Sequence, residues 1–279
     1  MHMQKQDFSN KDAMVIGGVK LHYEYLRGNQ AKEGPVILLI HGFISCSYCF
    51  RYIMPKLSEE YPVIAVDLPG FGKSEKSKTF TYSFESYAAL LFTFLDKLQV
   101  KETIVVGHSM GGQVALYMAK QKPEQVKKIV LMSSSGYLKR VKKHYLFASY
   151  LPFSPKVLKW YFEKRNYKEA LSHVVYDKTA VNDNSVKEYT RAFKDEGFYE
   201  ALIRLARHRE GDLTSEQLHL ITQPALLLWG KEDEIIPFRI GKRLDHDLPN
   251  ATLYGYEKTG HLLPEERPDE VVERMLQFI

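Results

Sequence analysis

Two cysteines in 279 residues are too few for a disulfide scaffold, and they fit a reducing compartment, so the expected location is cytoplasmic. No apolar run approaches the ~18 residues needed to cross a bilayer, so stable membrane insertion is not expected. From Met1 to Asp12 the chain is polar and has no apolar h-region, so no secretory signal is expected either. Met1-His2 ahead of Met3 resembles an expression-vector remnant and carries no argument. Charge of one sign is scarce: the formal net charge is +5, with a single short basic cluster, which argues against a nucleic-acid partner. There is no internal repeat and no low-complexity segment. What remains is a chain with 44% hydrophobic and 26% charged residues, which excludes disorder. It is long for one compact domain and short for two, a size that fits one core carrying a large insertion.

Short β-branched runs alternate with helix-period segments, the pattern of a mostly parallel sheet covered by helices. Met14 to Ile16 and Val19 to Leu26 form an opening pair around Gly17-Gly18, a hairpin turn. Buried-type strands follow at Val36–Ile40, Val63–Val66, Ile104–Val106, Ile129–Met132 and Ala225–Trp229, with a weaker one at Ala251–Tyr256. Ser83 is placed to cap a helix whose stripe is Phe84, Ala88, Leu91, Leu95 and Leu98. A second helix runs from the region of Ser109 to Gln121, and Pro268 to Ile279 forms a last one. The alternation breaks over residues 138–212, which contain no convincing strand. That stretch holds sixteen Lys/Arg against ten Asp/Glu, the whole positive excess of the chain, and reads as a helical insertion. The expected organisation is a core of residues 1–137 and 213–279 with the insertion between two late strands.

The strongest chemical signal is Gly107-His108-Ser109-Met110-Gly111-Gly112, directly after one strand and opening a helix that starts near Val114. In that context G-x-S-x-G is a nucleophile elbow: a strained turn presents the serine, and glycines admit the strand and helix beside it. A serine hydroxyl needs a base, and His261, in the loop after the last strand, is the choice among ten histidines. The acid that orients the imidazole is expected to be Asp233, after the strand Ala225–Trp229 and between Glu232 and Glu234. The order Ser109, Asp233, His261 is the order expected on a sheet of this kind. Backbone N–H groups of Met110, after the nucleophile, and Phe43, in His41-Gly42-Phe43, would form the oxyanion hole. His41 is expected to hold that loop in shape rather than act as a base.

From Val19 to Ile279 the sequence resembles the α/β-hydrolase superfamily, in its capped serine-hydrolase branch of esterases, lipases and carbon–carbon bond hydrolases. The matching pieces are His41-Gly42-Phe43, Asp67-Leu68-Pro69-Gly70-Phe71-Gly72-Lys73-Ser74, Gly107–Gly112, Trp229–Pro237 and Gly260-His261. The resemblance implies an α/β-hydrolase fold with the insertion as a helical cap over the active site. The short Gly-x oxyanion loop resembles that of enzymes favouring ordinary acyl esters. Ser109 stands where similar epoxide hydrolases and haloalkane dehalogenases carry aspartate. His108 stands where carbon–carbon hydrolases usually carry asparagine, with a longer glycine-rich oxyanion loop.

Gly70-Phe71-Gly72-Lys73-Ser74 ends like a phosphate-binding loop, but Asp67 occupies the place of its first glycine, so the segment reads as a turn leaving a strand. Cys46-Ser47-Tyr48-Cys49 has the spacing of a redox or zinc pair without partner ligands, so no metal is expected. Lys139-Arg140-Val141-Lys142-Lys143-His144 reads as a solvated face, with a membrane surface or acidic substrate as the sharper reading. The aromatic-rich run from Tyr145 to Phe162 reads either as a small core of the insertion or as a tunnel for an acyl chain. Tyr137, Trp160 and Leu262 are the expected substrate contacts. The expected function is hydrolysis of a small-molecule carboxylic ester through an acyl-enzyme, without cofactor. A carbon–carbon bond hydrolase and a triad-bearing ligand receptor are the alternatives, and the oligomeric state is left open.

Overall fold

The computed structural model describes residues 10–28 and 30–279. The polar stretch read from the first residues lies, up to Ser9, outside the described residues, as does Met1-His2. Among the described residues eight strands form one sheet: β1 (Asn10–Ile16), β2 (Val19–Leu26), β3 (Val36–Ile40), β4 (Val63–Asp67), β5 (Thr103–His108), β6 (Val126–Met132), β7 (Ala225–Gly230) and β8 (Ala251–Tyr256). Their spatial order is β1-β2-β4-β3-β5-β6-β7-β8. β1 and β2 are antiparallel, as are β2 and β4; every other pairing is parallel. Gly17 and Gly18 join β1 to β2 with φ of +56° and +81°, the double positive φ that a two-residue hairpin turn demands.

The continuous apolar runs have a physical origin in this sheet, which is covered on both faces. Alternate residues of each strand serve different cores. Leu38, Ile40, Val105, Leu131 and Leu227 pack on one side, and Ile37, Leu39, Val106, Val130 and Leu228 on the other. Ahead of the sheet's longest helices lies the short α1 (Met54–Ser58). Ser83 caps α2 (Phe84–Lys97) by accepting the Ser86 N–H at 3.1 Å, and Phe84, Ala88, Leu91 and Leu95 are buried as a stripe. α3 spans Met110–Gln121 and so begins earlier than Val114. Gly111 and Gly112 look like loop residues, but both are buried helix, because a Cβ on either would strike Ile40 O or the Ser134 side chain.

Between β6 and β7 lie only helices among the described residues: α4 (Lys143–Ser149), α5 (Ser154–Glu163), α6 (Tyr167–Ser172), α7 (Asp183–Thr190), α8 (Glu196–His208) and α9 (Ser215–Leu218), with short 3-10 turns. The ends of the segment are stitched together. Leu138 N–H donates to the Asp212 carboxylate at 3.1 Å, and Asp212 N–H to Leu138 C=O at 2.8 Å. α8 anchors the segment, burying Phe198, Tyr199, Leu202 and Leu205, whereas α4, α5 and α6 bury no residue at all. The aromatic run therefore forms no core of its own: most of it faces outward. The chain closes with α10 (Phe238–Asp247), α11 (Leu263–Glu266) and α12 (Pro268–Phe278).

Candidate active site

The chain places β4 on one side of β3 and then crosses to β5 on the other, so the loops leaving β3 and β5 diverge at their C-terminal ends. A crevice at such a switch point is where ligands bind on open parallel sheets. Four loops reach it: Gly42-Phe43 after β3, Ser109 after β5, Asp233 after β7 and His261 after β8.

Ser109 adopts φ 52°, ψ −119°, a strained conformation for a residue with a Cβ, at the junction of β5 and α3. Its N–H donates to Met132 O at 3.0 Å, and its C=O accepts from Ser135 and Gly112 N–H, so both sides of the elbow are held. Gly107 and Gly111 make the turn possible, since a Cβ on Gly107 would sit 2.3 Å from Gly111 O. On the other flank Gly42 lies so close that its Cβ would be 2.9 Å from Ser109 Cβ. The backbone N–H groups of Phe43 and Met110 have no hydrogen-bond partner among the described residues. That leaves both free for an oxyanion.

His261 Nδ1 lies 2.8 Å from Asp233 Oδ2, with both side chains buried. The carboxylate can only accept, so Nδ1 carries a proton toward it, and in the neutral imidazole Nε2 is then the nitrogen with the lone pair. Asp233 Oδ1 accepts from Ile235 and Ile236 N–H at 2.9 and 2.8 Å, and Trp229 Nε1 donates to Ile236 O at 2.8 Å. The acid is thus fixed from the strand that carries it. Its neighbours do other work: Glu232 accepts the Thr259 N–H at 3.0 Å, and Glu234 is exposed. Gly230 packs directly on the Gly260 and Thr259 carbonyls, which sets the distance between the acid loop and the histidine loop. Ser109 Oγ makes no hydrogen bond among the described residues; nucleophile–base contacts commonly tighten only with substrate bound.

Sequence reasoning missed three supports. His108 Nε2 lies 2.8 Å from His261 C=O, so its N–H braces the histidine loop from the elbow itself. His261 N–H donates to Val174 O at 2.8 Å, tying the loop to the α6–α7 connection. Glu266 accepts the Gly260 N–H at 3.0 Å and the Tyr176 N–H at 2.8 Å. Only His108 carried a signal, its place beside the serine. His41 acts as expected on its loop: Nε2 accepts the Leu68 N–H at 2.9 Å and Nδ1 donates to Gly42 C=O at 2.7 Å. Asp67 ties the neighbouring turns by accepting Ser47 and Lys73 N–H, each at 2.7 Å. Gly72 is required there, because its φ is +48° and a Cβ would collide with that carboxylate.

Above Ser109 opens a cavity of about 390 Å³. Phe43, Ile44, Ser109, His261 and Leu262 supply its floor, and Phe162, Leu171, Val174, Tyr189 and Phe193 come from the insertion. Leu262 therefore lines it. Tyr137 does not: its hydroxyl donates to Asp247 Oδ2 at 2.7 Å outside the cavity wall. Trp160 does not either, for it is 57% exposed under the Lys164 ammonium. The helix turns ~100° per residue, so Tyr161 and Phe162 face the cavity in its place. Cys46 and Cys49 are free and buried, and burial pushes the Cys46 thiol up to about 12, which leaves it inert at neutral pH.

Burial holds His108 down to about 3, helped by the adjacent His261, and burial also lowers His41. Unfolding exposes both, so below about pH 6.5 the unfolded chain binds protons that the native state refuses. Native stability is therefore complete above that pH and lost as pH falls toward about 3. The urea midpoint is expected to drop across this window, and His108→Asn to flatten the drop. An identical slope in the variant would exclude His108 as a source.

The match to the family model described as alpha/beta hydrolase fold, over residues 35–268, shows that the chain belongs to that family. It is a hydrolase of the α/β-hydrolase fold. It is 45% identical to YugF, an uncharacterised hydrolase of Bacillus subtilis (strain 168), over 95% of this chain and 96% of that one. It is 27% identical to a 2-hydroxy-6-oxo-2,4-heptadienoate hydrolase of Pseudomonas putida, over 95% of both. Its fold also matches a solved thermophilic esterase from Thermogutta terrifontis with a TM-score of 0.78 at 20% identity, covering 96% of this chain and 97% of that one.

Proposed function

We propose that the protein is a serine hydrolase of carboxylic esters, with Ser109, His261 and Asp233 as its triad and residues 138–212 as its cap. The observation that carries this reading is the Asp233–His261 pair at 2.8 Å beside a strained serine on the floor of a mostly apolar cavity. Its volume of about 390 Å³ falls in the span of small-molecule sites, ~300–1,000 Å³. His261 Nε2 takes the proton of Ser109 as Oγ attacks the ester carbonyl carbon. Phe43 and Met110 N–H groups hold the oxyanion. Collapse breaks the bond to the alkoxide, which leaves with the proton from His261. Water then attacks the acyl-enzyme, and the same imidazole moves its proton to Ser109. This chemistry asks for no metal or organic cofactor. Two free, buried cysteines support a reducing, cytoplasmic setting.

A second reading, cleavage of a carbon–carbon bond in a diketone-like acid, has one observation for it: Arg165 lines the cavity and offers a carboxylate a partner. Against it, Arg165 is exposed and stacks over Tyr161 at 4.5 Å, so among the described residues the cavity holds no buried Arg or Lys dedicated to an acid.

Initial rates on p-nitrophenyl esters from acetyl to palmitoyl separate the readings. The expected result is an optimum of acyl length set by the Phe162, Leu171 and Phe193 walls. Negligible rates on every ester, with turnover of a diketone-like acid, would move the assignment to the second reading. Tight ligand binding with no turnover of either class would make it a receptor.

A further inference from the structure

The outer face of the insertion has a composition that a merely solvated cap does not need. Of the fifteen exposed large hydrophobic side chains among the described residues, nine fall between Leu138 and Tyr161. They include Tyr145 and Phe147 on α4, Phe153 in the connection, and Val157 and Trp160 on α5; Phe147 is 76% exposed. Single exposed apolar residues are ordinary on any surface, but a concentration of this kind on two successive helices marks an interaction site.

Charge identifies the partner. Residues 138–165 contain eight Lys/Arg and one acidic residue, Glu163, so this stretch is more positive than the whole chain at +5. Seven of the eight are exposed. Among the described residues, only Lys159 of these eight joins an ion pair, with Glu163 and Glu196. Several cationic heads sit over exposed rings: Lys164 over Trp160 at 4.0 Å, Arg165 over Tyr161 at 4.5 Å and Lys156 over Phe153 at 5.9 Å. Aromatic rings alternating with unpaired cations complement a layer that is apolar below and anionic at its surface.

We propose that the α4–α5 face docks the protein reversibly on an anionic phospholipid bilayer, with the catalytic cavity opening toward the lipid. Tyr161 and Arg165 belong to both features, being exposed and lining the cavity, so the docking face and the cavity mouth are continuous. Among the described residues no helix is long and apolar enough to cross a membrane, and α5, with ten residues, lies on the surface rather than through it. The docking stands on exposure and charge alone. That the cavity then draws acyl esters of membrane lipids rests on the ester reading above.

The test is co-sedimentation of the full chain with phosphatidylcholine vesicles, with and without phosphatidylglycerol. The expected result is partitioning at least about tenfold stronger onto the anionic vesicles, released by raised salt. Lys139→Glu, Lys142→Glu and Lys143→Glu together should weaken it on the order of 100-fold. Phe147→Ser, Leu151→Ser and Phe153→Ser together should weaken it on the order of tenfold or more. Both triple variants should keep the wild-type circular dichroism and the wild-type rate on a soluble short-chain ester. Failure of the wild type to bind either vesicle overturns the proposal and leaves the ester reading standing if the soluble ester is turned over. Vesicle binding without turnover of any ester upholds the docking and removes the ester reading. A dimer that the Phe147, Leu151 and Phe153 variant converts to monomer, with no vesicle binding, would assign the face to a second copy and also overturn the proposal.

Discussion

Replacing Ser109 by alanine is expected to lower kcat on a p-nitrophenyl ester by about 10⁴–10⁶-fold while leaving the fold intact. The loss is large because in the proposed mechanism this hydroxyl forms the covalent bond, and the other aliphatic hydroxyls lining the cavity, Ser45 and Thr190, do not stand on the turn between β5 and α3. Three serines follow β6, Ser133, Ser134 and Ser135; all are buried, Ser134 Oγ donates to Ser135 C=O at 2.9 Å, and none of them lines the cavity. The fold should survive because Ser109 Oγ makes no hydrogen bond among the described residues and alanine keeps the Cβ that already endures φ 52°. What activity remains would come from the Phe43 and Met110 N–H groups and from substrate positioning. Purified variant and wild type compared by initial rates and thermal melting decide the matter. A folded Ser109→Ala protein with normal rates would sink the nucleophile assignment.

The second large effect is expected at Asp233. Asp233→Asn should cost about 10⁴-fold in kcat with little change in melting temperature. Asparagine keeps the oxygen that accepts the Ile235 and Ile236 N–H groups, so the loop after β7 stays bonded. What changes is the group facing His261 Nδ1 at 2.8 Å. An amide N–H there favours the imidazole tautomer whose proton sits on Nε2, the atom that must accept from Ser109. Asp233→Ala should behave differently, losing activity and stability together, because the Ile235 and Ile236 N–H groups both lose their acceptor and the turn after β7 loses its tie. Glu234→Gln serves as the control, since Glu234 is exposed and should leave rates within about twofold. Full activity in Asp233→Asn would require another acid, and none other is bonded to His261 among the described residues.

Much of this site is legible in the chain because its parts obey local rules. The elbow needs small residues on both sides of Ser109 whatever the rest of the molecule does, and Gly107 and Gly111 meet backbone within 2.3 Å of where a Cβ would be. Strands covered on both faces must read as unbroken apolar runs, which is why β3, β4 and β7 stand out. β6 was only partly visible: Lys127 and Lys128 interrupt the apolar run while the ladder continues from Val126. The first turn of α3 was hidden because glycine is a poor helix former. Its presence there is imposed by the closeness of Ile40 and Ser134 rather than by propensity.

The fold class and the chain order of Ser109, Asp233 and His261 are readable from short stretches of sequence, since each depends on residues adjacent along the chain. Which aromatic residues of the insertion face the cavity and which face outward depends on how its helices pack in three dimensions. Trp160 and Phe162 are two residues apart with the same apolar character, and the orientation of α5 against α8 alone gives them opposite roles. The bond from His108 to the His261 carbonyl spans 153 residues, and the bond from His261 to Val174 likewise joins separate loops. Contacts of that range are set by how the layers pack, so no local pattern announces them.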